Sequence, residues 1–247
     1  MRFTYVAPIV VIAATSTIAI ADQLAVPSGY PSATFEGWKS PLNGDARTLQ
    51  TAYPASELAS IPVGAHITGI TWRLHFSEQT WPIQDATWEH YDIRLSTPAN
   101  APGNLSLVFA ENVGANETLV RSGSLTIPAN TFAGTISTPG GAPNDFGYTI
   151  SFDTPYIYDG NDLLVEIRHT GHGGTSSPFL DFAFDYGGSN SVYQVKDLSY
   201  TSQGGPGTAA FGYPGPVIAQ LTWVVPSPSS ITIAGMFAGL AAVRRRR

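Results

Sequence analysis

The chain has 247 residues, of which 43% are hydrophobic and 12% are charged, so it is not a disordered polyelectrolyte. It contains no cysteine, which excludes disulfides, a thiol nucleophile and metal sites built from cysteine ligands. The segment between the termini holds seven of the twelve basic residues and all eighteen acidic residues, so its net charge is −11 and it should repel nucleic acid.

The N-terminal 21 residues have the three regions of a secretory signal peptide. Arg2 supplies the positive start, residues 6–14 form the apolar run, and Ala19 and Ala21 occupy the small-residue cleavage positions. The apolar run is too short for a stable membrane-spanning helix, and the alternative interpretation is a buried N-terminal strand. We predict cleavage by signal peptidase and a mature chain that begins at Asp22.

The body of the chain is predicted to be all-β. Short runs rich in β-branched and aromatic residues recur between clusters of Gly, Pro, Asn and Asp. Ile70, Trp72 and Leu74 alternate with polar residues, which indicates one buried face and one wet face, as in antiparallel sheets. The predicted strands are 66–76, 91–95, 105–110, 119–127, 148–152, 163–169, 179–186, 192–195 and 217–224. This number of strands favours a two-sheet sandwich or jelly roll, with one helical turn near residues 56–59.

Charged residues within the predicted strands are assigned to outer faces, where cross-strand ion pairs account for them. These residues are Arg73, Arg94, Glu166 and Arg168.

No catalytic motif is found, so the sequence predicts a protein without enzymatic activity. There is no G-x-S-x-G motif, and the glycine-rich residues 172–175 are interpreted as a hairpin turn rather than an oxyanion loop. Asp181 and Asp185 share a strand face about 13 Å apart, too far for a glycosidase pair. Glu89 and Asp92 fall on opposite faces. These acids are interpreted as solvated, although a catalytic pair from different strands stays open.

Two segments carry side chains of the kinds that bind metal ions. His169 and His172 form an H-x-x-H pair at a strand end, without a third ligand at a fixed offset, so a zinc site is disfavoured. Asp159, Asn161 and Asp162 offer oxygen ligands to Ca²⁺ but lack the EF-hand spacing. A tight turn needs the same residues, and the turn is the favoured interpretation. The sequence therefore predicts no cofactor, with calcium at this turn as the alternative.

Exposed aromatic rings are the usual platform for sugars, and Trp81, Trp88 and Tyr91 lie close together in the sequence. Strand parity places Trp88 on the face opposite Tyr91, which predicts that Trp88 is exposed. Trp81 and Trp88 form the candidate ligand platform, whereas packing in the core is the default role of tryptophan. Trp72 is expected to belong to the core because it shares its face with Ile70 and Leu74.

The C-terminus has three parts in a fixed order. Val225, Pro226 and Pro228 open a proline-rich stretch, and the uncharged residues 231–243 follow. As a helix these thirteen residues rise only about 20 Å, against about 30 Å of hydrocarbon. The chain closes on a basic cluster that would stay on the cytoplasmic side of a membrane. This cluster consists of Arg244, Arg245, Arg246 and Arg247.

This tail resembles the PEP-CTERM sorting signal of Gram-negative bacteria, except that Ser227 stands where the family usually has Glu. The resemblance implies transient insertion in the inner membrane and then recognition by an exosortase-type membrane protease. It also implies delivery to the cell envelope, the outer surface or an extracellular polysaccharide matrix. The alternative is a plain C-terminal membrane tail, and the change at Ser227 leaves open whether the tail is cleaved.

The body is also similar to a recurrent type of PEP-CTERM ectodomain, a resemblance that implies an architecture and no reaction. The matching pieces are residues 47–53, 65–76, 91–96, 105–114 and 160–168. The predicted organisation is a signal peptide (residues 1–21), a β-sandwich ectodomain (22–224) and a sorting tail (225–247). The expected role is structural or adhesive and not enzymatic. A carbohydrate-binding module for matrix polysaccharide is the alternative, followed by a polysaccharide hydrolase.

Overall fold

The computed structural model describes residues 21–38, 40–174, 176–188, 190–195, 210–213 and 215–226. Within this part of the chain there are fourteen strands and four 3₁₀ helices, and no α-helix. The strands are β1 (Asp22–Val26), β2 (Glu36–Trp38), β3 (Arg47–Tyr53), β4 (His66–Trp72), β5 (Ala86–Trp88), β6 (Tyr91–Ser96), β7 (Thr118–Arg121), β8 (Leu125–Ile127), β9 (Ile150–Ile157), β10 (Leu163–His169), β11 (Leu180–Phe182), β12 (Ser191–Val195), β13 (Ala210–Tyr213) and β14 (Ala219–Val224). The helical turn predicted near residues 56–59 is the 3₁₀ helix Ala55–Leu58.

The strands form two larger sheets and two small ones. One sheet has the order β1-β14-β4-β9, and the other has the order β13-β12-β3-β10-β6-β7. Two-stranded sheets β11-β2 and β5-β8 lie beside them. Every pairing between these strands is antiparallel, so the prediction of an all-β antiparallel fold is confirmed.

A single hydrophobic cluster joins the two larger sheets. It includes Ile70 and Trp72 from β4 together with Ile93 from β6 and Ile167 from β10. Trp72 is buried, as its alternation with Ile70 predicts. Burial of these apolar side chains is the main favourable contribution to folding. An arrangement of two sheets around one shared core is consistent with a β-sandwich.

The outer face of the six-stranded sheet is buried rather than wet, which corrects the assignment of its charged residues. Glu166 and Arg168 on β10 are both buried and form an ion pair, while Arg94 on β6 is half-buried. The segment between β6 and β7 covers them, and its Asn112 side chain donates a 2.8 Å hydrogen bond to Gln50. Leu105, Phe109, Ala52, Leu164 and Val192 form a second small core beneath this segment.

Several predicted strand boundaries are wrong. The strand predicted at 66–76 ends at Trp72, and the one predicted at 148–152 spans Ile150–Ile157. Residues 105–110 form no strand and lead into the 3₁₀ helix Phe109–Glu111. Residues 119–127 divide into β7 and β8 at Gly123, whose φ of +92° favours glycine and breaks the strand. Residues 179–186 end as a strand at Phe182 and continue as the 3₁₀ helix Phe184–Tyr186.

The first and last described strands are neighbours. β1 pairs with β14, and Asp22 lies opposite Trp223 in the register. The two ends of the described body therefore leave the same end of one sheet. Residues 1–20 of the predicted signal peptide and most of the sorting tail, including Ala19, Pro228 and the basic cluster, lie outside the described residues. No helix in the described part of the chain has the length and apolarity needed to cross a membrane.

Candidate functional site

The two tryptophans of the predicted ligand platform lie inside an aromatic cluster. Trp88 is fully buried, Trp81 is 4% exposed, and their ring centroids are 6.4 Å apart. The prediction that Trp88 is exposed is wrong. Residues 89–90 bend between β5 and β6, so the parity of β6 does not extend back to Trp88. The Nε1 of Trp88 donates to the carbonyl of Asn43 at 3.3 Å, which satisfies its polar atom within the interior.

The two histidines of the H-x-x-H pair pack around Trp88. The ring centroid of His169 is 6.2 Å from that of Trp88, and the His172 centroid is 4.9 Å from it. Each Nδ1 accepts a 3.0 Å hydrogen bond from a backbone N–H two residues later. Burial lowers the pKa of His172, so its ring is neutral at neutral pH. Among the described residues no cluster of three or more potential metal-ligating side chains is found.

The residues considered for calcium form a turn. The Oδ1 of Asp159 accepts a hydrogen bond from the N–H of Asn161 at 3.0 Å, and Gly160 between them has a φ of +89°. The other oxygen of Asp159 accepts a hydrogen bond from Thr97, and Asp162 accepts one from the N–H of Ala55. The two carboxylates thus bind different neighbours.

Asp181 and Asp185, which were predicted to share one strand, do not, because β11 ends at Phe182 between them. Asp181 is fully buried and lies 2.7 Å from the Nε of Arg73, so its assignment as a solvated acid is wrong, and so is the outer-face assignment of Arg73. Burial raises the pKa of Asp181, and Arg73 only partly opposes this effect. Asp185 is exposed because the chain turns into the 3₁₀ helix after Ala183. Of the second pair, Glu89 is exposed and Asp92 is buried.

An exposed aromatic pocket, which the sequence interpretation missed, lies at the edge of the β2-β11 sheet. The aromatic pocket is defined by Tyr30, Phe35, Phe182 and Phe184, and its volume is about 460 Å³, within the range typical of ligand sites. Phe35 is 79% exposed and Phe184 is 48% exposed, whereas Phe182 forms a buried part of the wall. Large exposed apolar side chains that are grouped together commonly mark an interaction site.

The buried ion pair of Arg73 and Asp181 is hydrogen-bonded to the backbone that lines the pocket. Arg73 directs its Nη2 to the carbonyl oxygens of Tyr30 and Ser32, at 3.0 and 2.9 Å, while its Nε binds Asp181. The N–H of Phe182 donates to the Oγ1 of Thr34 at 3.3 Å, which ties the two walls together. These bonds fix the backbone on both sides of the pocket and engage the Nε and Nη2 atoms of the guanidinium.

Carboxylates occupy the rim of the pocket. The hydroxyl of Tyr30 donates to Asp185 Oδ1 at 2.7 Å, and the side chain of Glu36 is exposed on the facing wall. Burial, followed by the neighbouring Asp185, raises the pKa of Tyr30, so its hydroxyl keeps its proton. None of the described residues that line the pocket is basic.

Glu57, a third carboxylate, links two segments next to the pocket through hydrogen bonds. Glu57 accepts hydrogen bonds from the backbone and hydroxyl of Ser28, at 2.6 and 2.7 Å, and one from Tyr186. Burial acts to raise the pKa of Glu57, but these hydrogen bonds outweigh it and lower the pKa. Glu57 is therefore ionised at neutral pH and is unsuited to the role of general acid.

Two carboxyl groups whose pKa is raised by burial lie in the interior. Glu166 and Asp181 are buried and paired with arginines, so neither can donate a proton to a ligand in the aromatic pocket. The arrangement can stack a ligand against phenylalanine rings and accept hydrogen bonds from it. It suits binding rather than acid–base chemistry.

Comparison with known proteins gives no relative from which to transfer a role. No protein-family model matches the chain, and no match was found among curated proteins. The proposed function therefore rests on the sequence and structure of the chain itself.

Proposed function

We propose that this chain is an exported, non-enzymatic protein of the cell envelope or extracellular matrix of a Gram-negative bacterium. Residues 1–21 are the signal peptide, residues 22–224 are the sandwich or jelly-roll ectodomain, and residues 225–247 are the sorting tail. Signal peptidase and an exosortase-type protease process the two ends, and the tail crosses the inner membrane only transiently. The role of the ectodomain is structural or adhesive.

The pairing of β1 with β14 is the observation that supports this proposal. The first residue after the predicted signal peptide, Asp22, pairs with Trp223, close to the start of the predicted tail. Ala21, Val225 and Pro226 are all exposed, so a protease could reach the chain on both sides of the body. Processing at these points would leave every strand of the described body intact.

The distribution of the protein between cell fractions tests this proposal. We expect the wild-type protein at the outer surface or in the matrix of its native host. Replacement of the four terminal arginines by glutamine should lower the amount of protein at the outer surface or in the matrix, because the charge that orients the tail in the membrane is lost. The matched control replaces the same four residues by lysine and keeps the charge. Equal distribution of the wild-type and glutamine proteins would contradict the proposal.

Carbohydrate binding is a second candidate function, and the aromatic pocket is the observation that favours it. Phe35 and Phe184 present apolar faces to solvent beside carboxylate acceptors, and this combination suits the C–H faces and hydroxyl groups of a sugar. Because Trp81 and Trp88 are buried, we place the proposed stacking platform at these phenylalanines. Adhesion to matrix polysaccharide would then proceed through this pocket.

Titration with oligosaccharides tests the second candidate function. Phe35→Ala should weaken oligosaccharide binding without lowering the melting temperature, because the side chain is 79% exposed. Ile83→Ala is the control, since Ile83 is 78% exposed and lies outside the aromatic pocket. Equal affinity of the two variants would exclude the pocket as the binding site.

A further inference from the structure

We propose that the aromatic pocket selects glycans that carry free amino groups, such as polymers of deacetylated amino sugars. This inference rests on the carbohydrate-binding function proposed above and adds the class of ligand. It is supported by the combination of exposed rings with carboxylates, in a pocket where none of the described lining residues is basic.

The rings supply a surface for stacking that is independent of charge. The centroids of Phe182 and Phe184 lie 6.4 Å apart with their planes at 55°, and the exposed Phe35 lines the same pocket. A sugar ring in the aromatic pocket would contact aromatic carbon atoms with its C–H face. This contact favours pyranose rings in general and does not distinguish neutral from charged sugars.

The carboxylates at the rim supply the selectivity. Asp185 receives the Tyr30 hydroxyl on Oδ1, while its Oδ2 takes no hydrogen bond from the described residues. The Glu36 carboxylate on the facing wall likewise has no partner among them. A protonated amine has three N–H donors and forms charge-assisted bonds with carboxylates. Both acceptors therefore suit an ammonium group on a stacked sugar.

Among the described residues, the cation hydrogen-bonded to the pocket backbone is Arg73, and it cannot recruit an acidic sugar. Arg73 is buried, its Nε binds Asp181, and its Nη2 binds two backbone carbonyls. Its Cζ also lies 5.8 Å from the centroid of the Phe146 ring. The net charge of −11 over the body adds a long-range field that repels polyuronates and attracts polycations.

The test compares the affinity of the full-length chain for four oligosaccharides of equal length by titration calorimetry. The oligosaccharides are built from glucosamine, N-acetylglucosamine, glucose and galacturonate. We expect the glucosamine oligomer to bind roughly tenfold or more tightly than the acetylated and glucose oligomers, and the galacturonate oligomer to bind least. Added salt should weaken the glucosamine complex most, because screening acts on the ion pairs.

Two substitutions separate stacking from charge. Phe184→Ala should reduce the affinity for all bound sugars by roughly tenfold, by analogy with the stacking of bases on aromatic side chains. Asp185→Asn should reduce only the preference for glucosamine, because the amide oxygen can still accept the Tyr30 hydroxyl. Glu89→Gln is the matched control, since its carboxylate is 84% exposed outside the pocket and its loss changes the net charge equally.

The possible outcomes distinguish the two proposals. If the acetylated and glucose oligomers bind as tightly as the glucosamine oligomer and Phe184→Ala weakens all three, carbohydrate binding stands and the selectivity is overturned. If Glu89→Gln reduces glucosamine binding as much as Asp185→Asn does, the attraction is a general effect of charge and the pocket is not its source. Absence of binding to all four oligosaccharides overturns both proposals.

Discussion

Arg73 connects the interior of the molecule to the aromatic pocket, since one guanidinium binds Asp181 and the carbonyl oxygens of Tyr30 and Ser32. Removal of one partner of a buried ion pair leaves the other charge without compensation. We expect Arg73→Met to lower the free energy of unfolding at neutral pH by about 3–5 kcal/mol. Urea denaturation monitored by tryptophan fluorescence measures this loss.

The loss of stability in Arg73→Met should depend on pH, in a direction set by the pKa of Asp181. Burial already raises the pKa of Asp181, and loss of Arg73 should raise it further. A carboxyl group with a higher pKa in the folded state than in the unfolded chain stabilises the fold progressively as the pH falls. The stability gap between wild type and Arg73→Met should therefore narrow from pH 7 toward pH 4. A constant gap would contradict this account, and a double variant with Asp181→Leu should show little pH dependence of its own from this site.

Trp88 is a second residue whose structural role can be measured. It is fully buried against Trp81, Tyr91 and both histidines of the 169–172 segment. Trp88→Ala should lower the free energy of unfolding by about 3–5 kcal/mol, the range for truncation of a buried aromatic side chain. Ile83→Ala, at an exposed position, should change it by no more than about 0.5 kcal/mol. Similar small effects for both substitutions would contradict the assignment of Trp88 to the core.

The segment that covers the six-stranded sheet depends on Asn112. This fully buried amide donates to Gln50 and to the carbonyl of Ser106, and its oxygen accepts from the N–H of Ser106. Asn112→Ala would leave these groups without partners, and each unsatisfied buried polar group costs about 1–3 kcal/mol. We expect faster amide hydrogen exchange in residues 99–113 and earlier proteolysis there. Leu107→Ala in the same segment is the control because Leu107 is 55% exposed.

The sequence predicts strands well where the pattern is local. β10 has the predicted bounds, and β6 differs from its prediction by one residue, since apolar and polar residues alternate along most of both strands. Residues 105–110 have a similar composition but lie outside the sheets, and their apolar side chains cover an outer face. The composition of a segment predicts that it is buried. It does not predict which surface the segment packs against, because that depends on tertiary packing.

The candidate site could be predicted from local sequence patterns even less well than the strands. Tyr30 and Asp185, which form a direct hydrogen bond in the aromatic pocket, are 155 positions apart in the chain. No local spacing links them, and the pairing of β2 with β11, together with the hydrogen bonds of Arg73, brings their segments together. The parity rule also failed at Trp88, since it holds within one strand and not across the bend at residues 89–90.

At the scale of the whole molecule, the pairing of β1 with β14 places the two predicted processing points side by side. A body attached through a tail at this end would present the rest of its surface away from the membrane. We propose that such a chain is exported and processed at both ends, which leaves the acidic β-domain as the functional species.

Intact-mass analysis of the protein isolated from its native host tests this claim most directly. We predict a species that begins at Asp22 and ends near Pro226 to Pro228, because the chain on both sides of the paired strands is exposed. A species that lacks the signal peptide but keeps Arg247 would contradict processing of the tail. A species that also keeps residues 1–21 would contradict export itself.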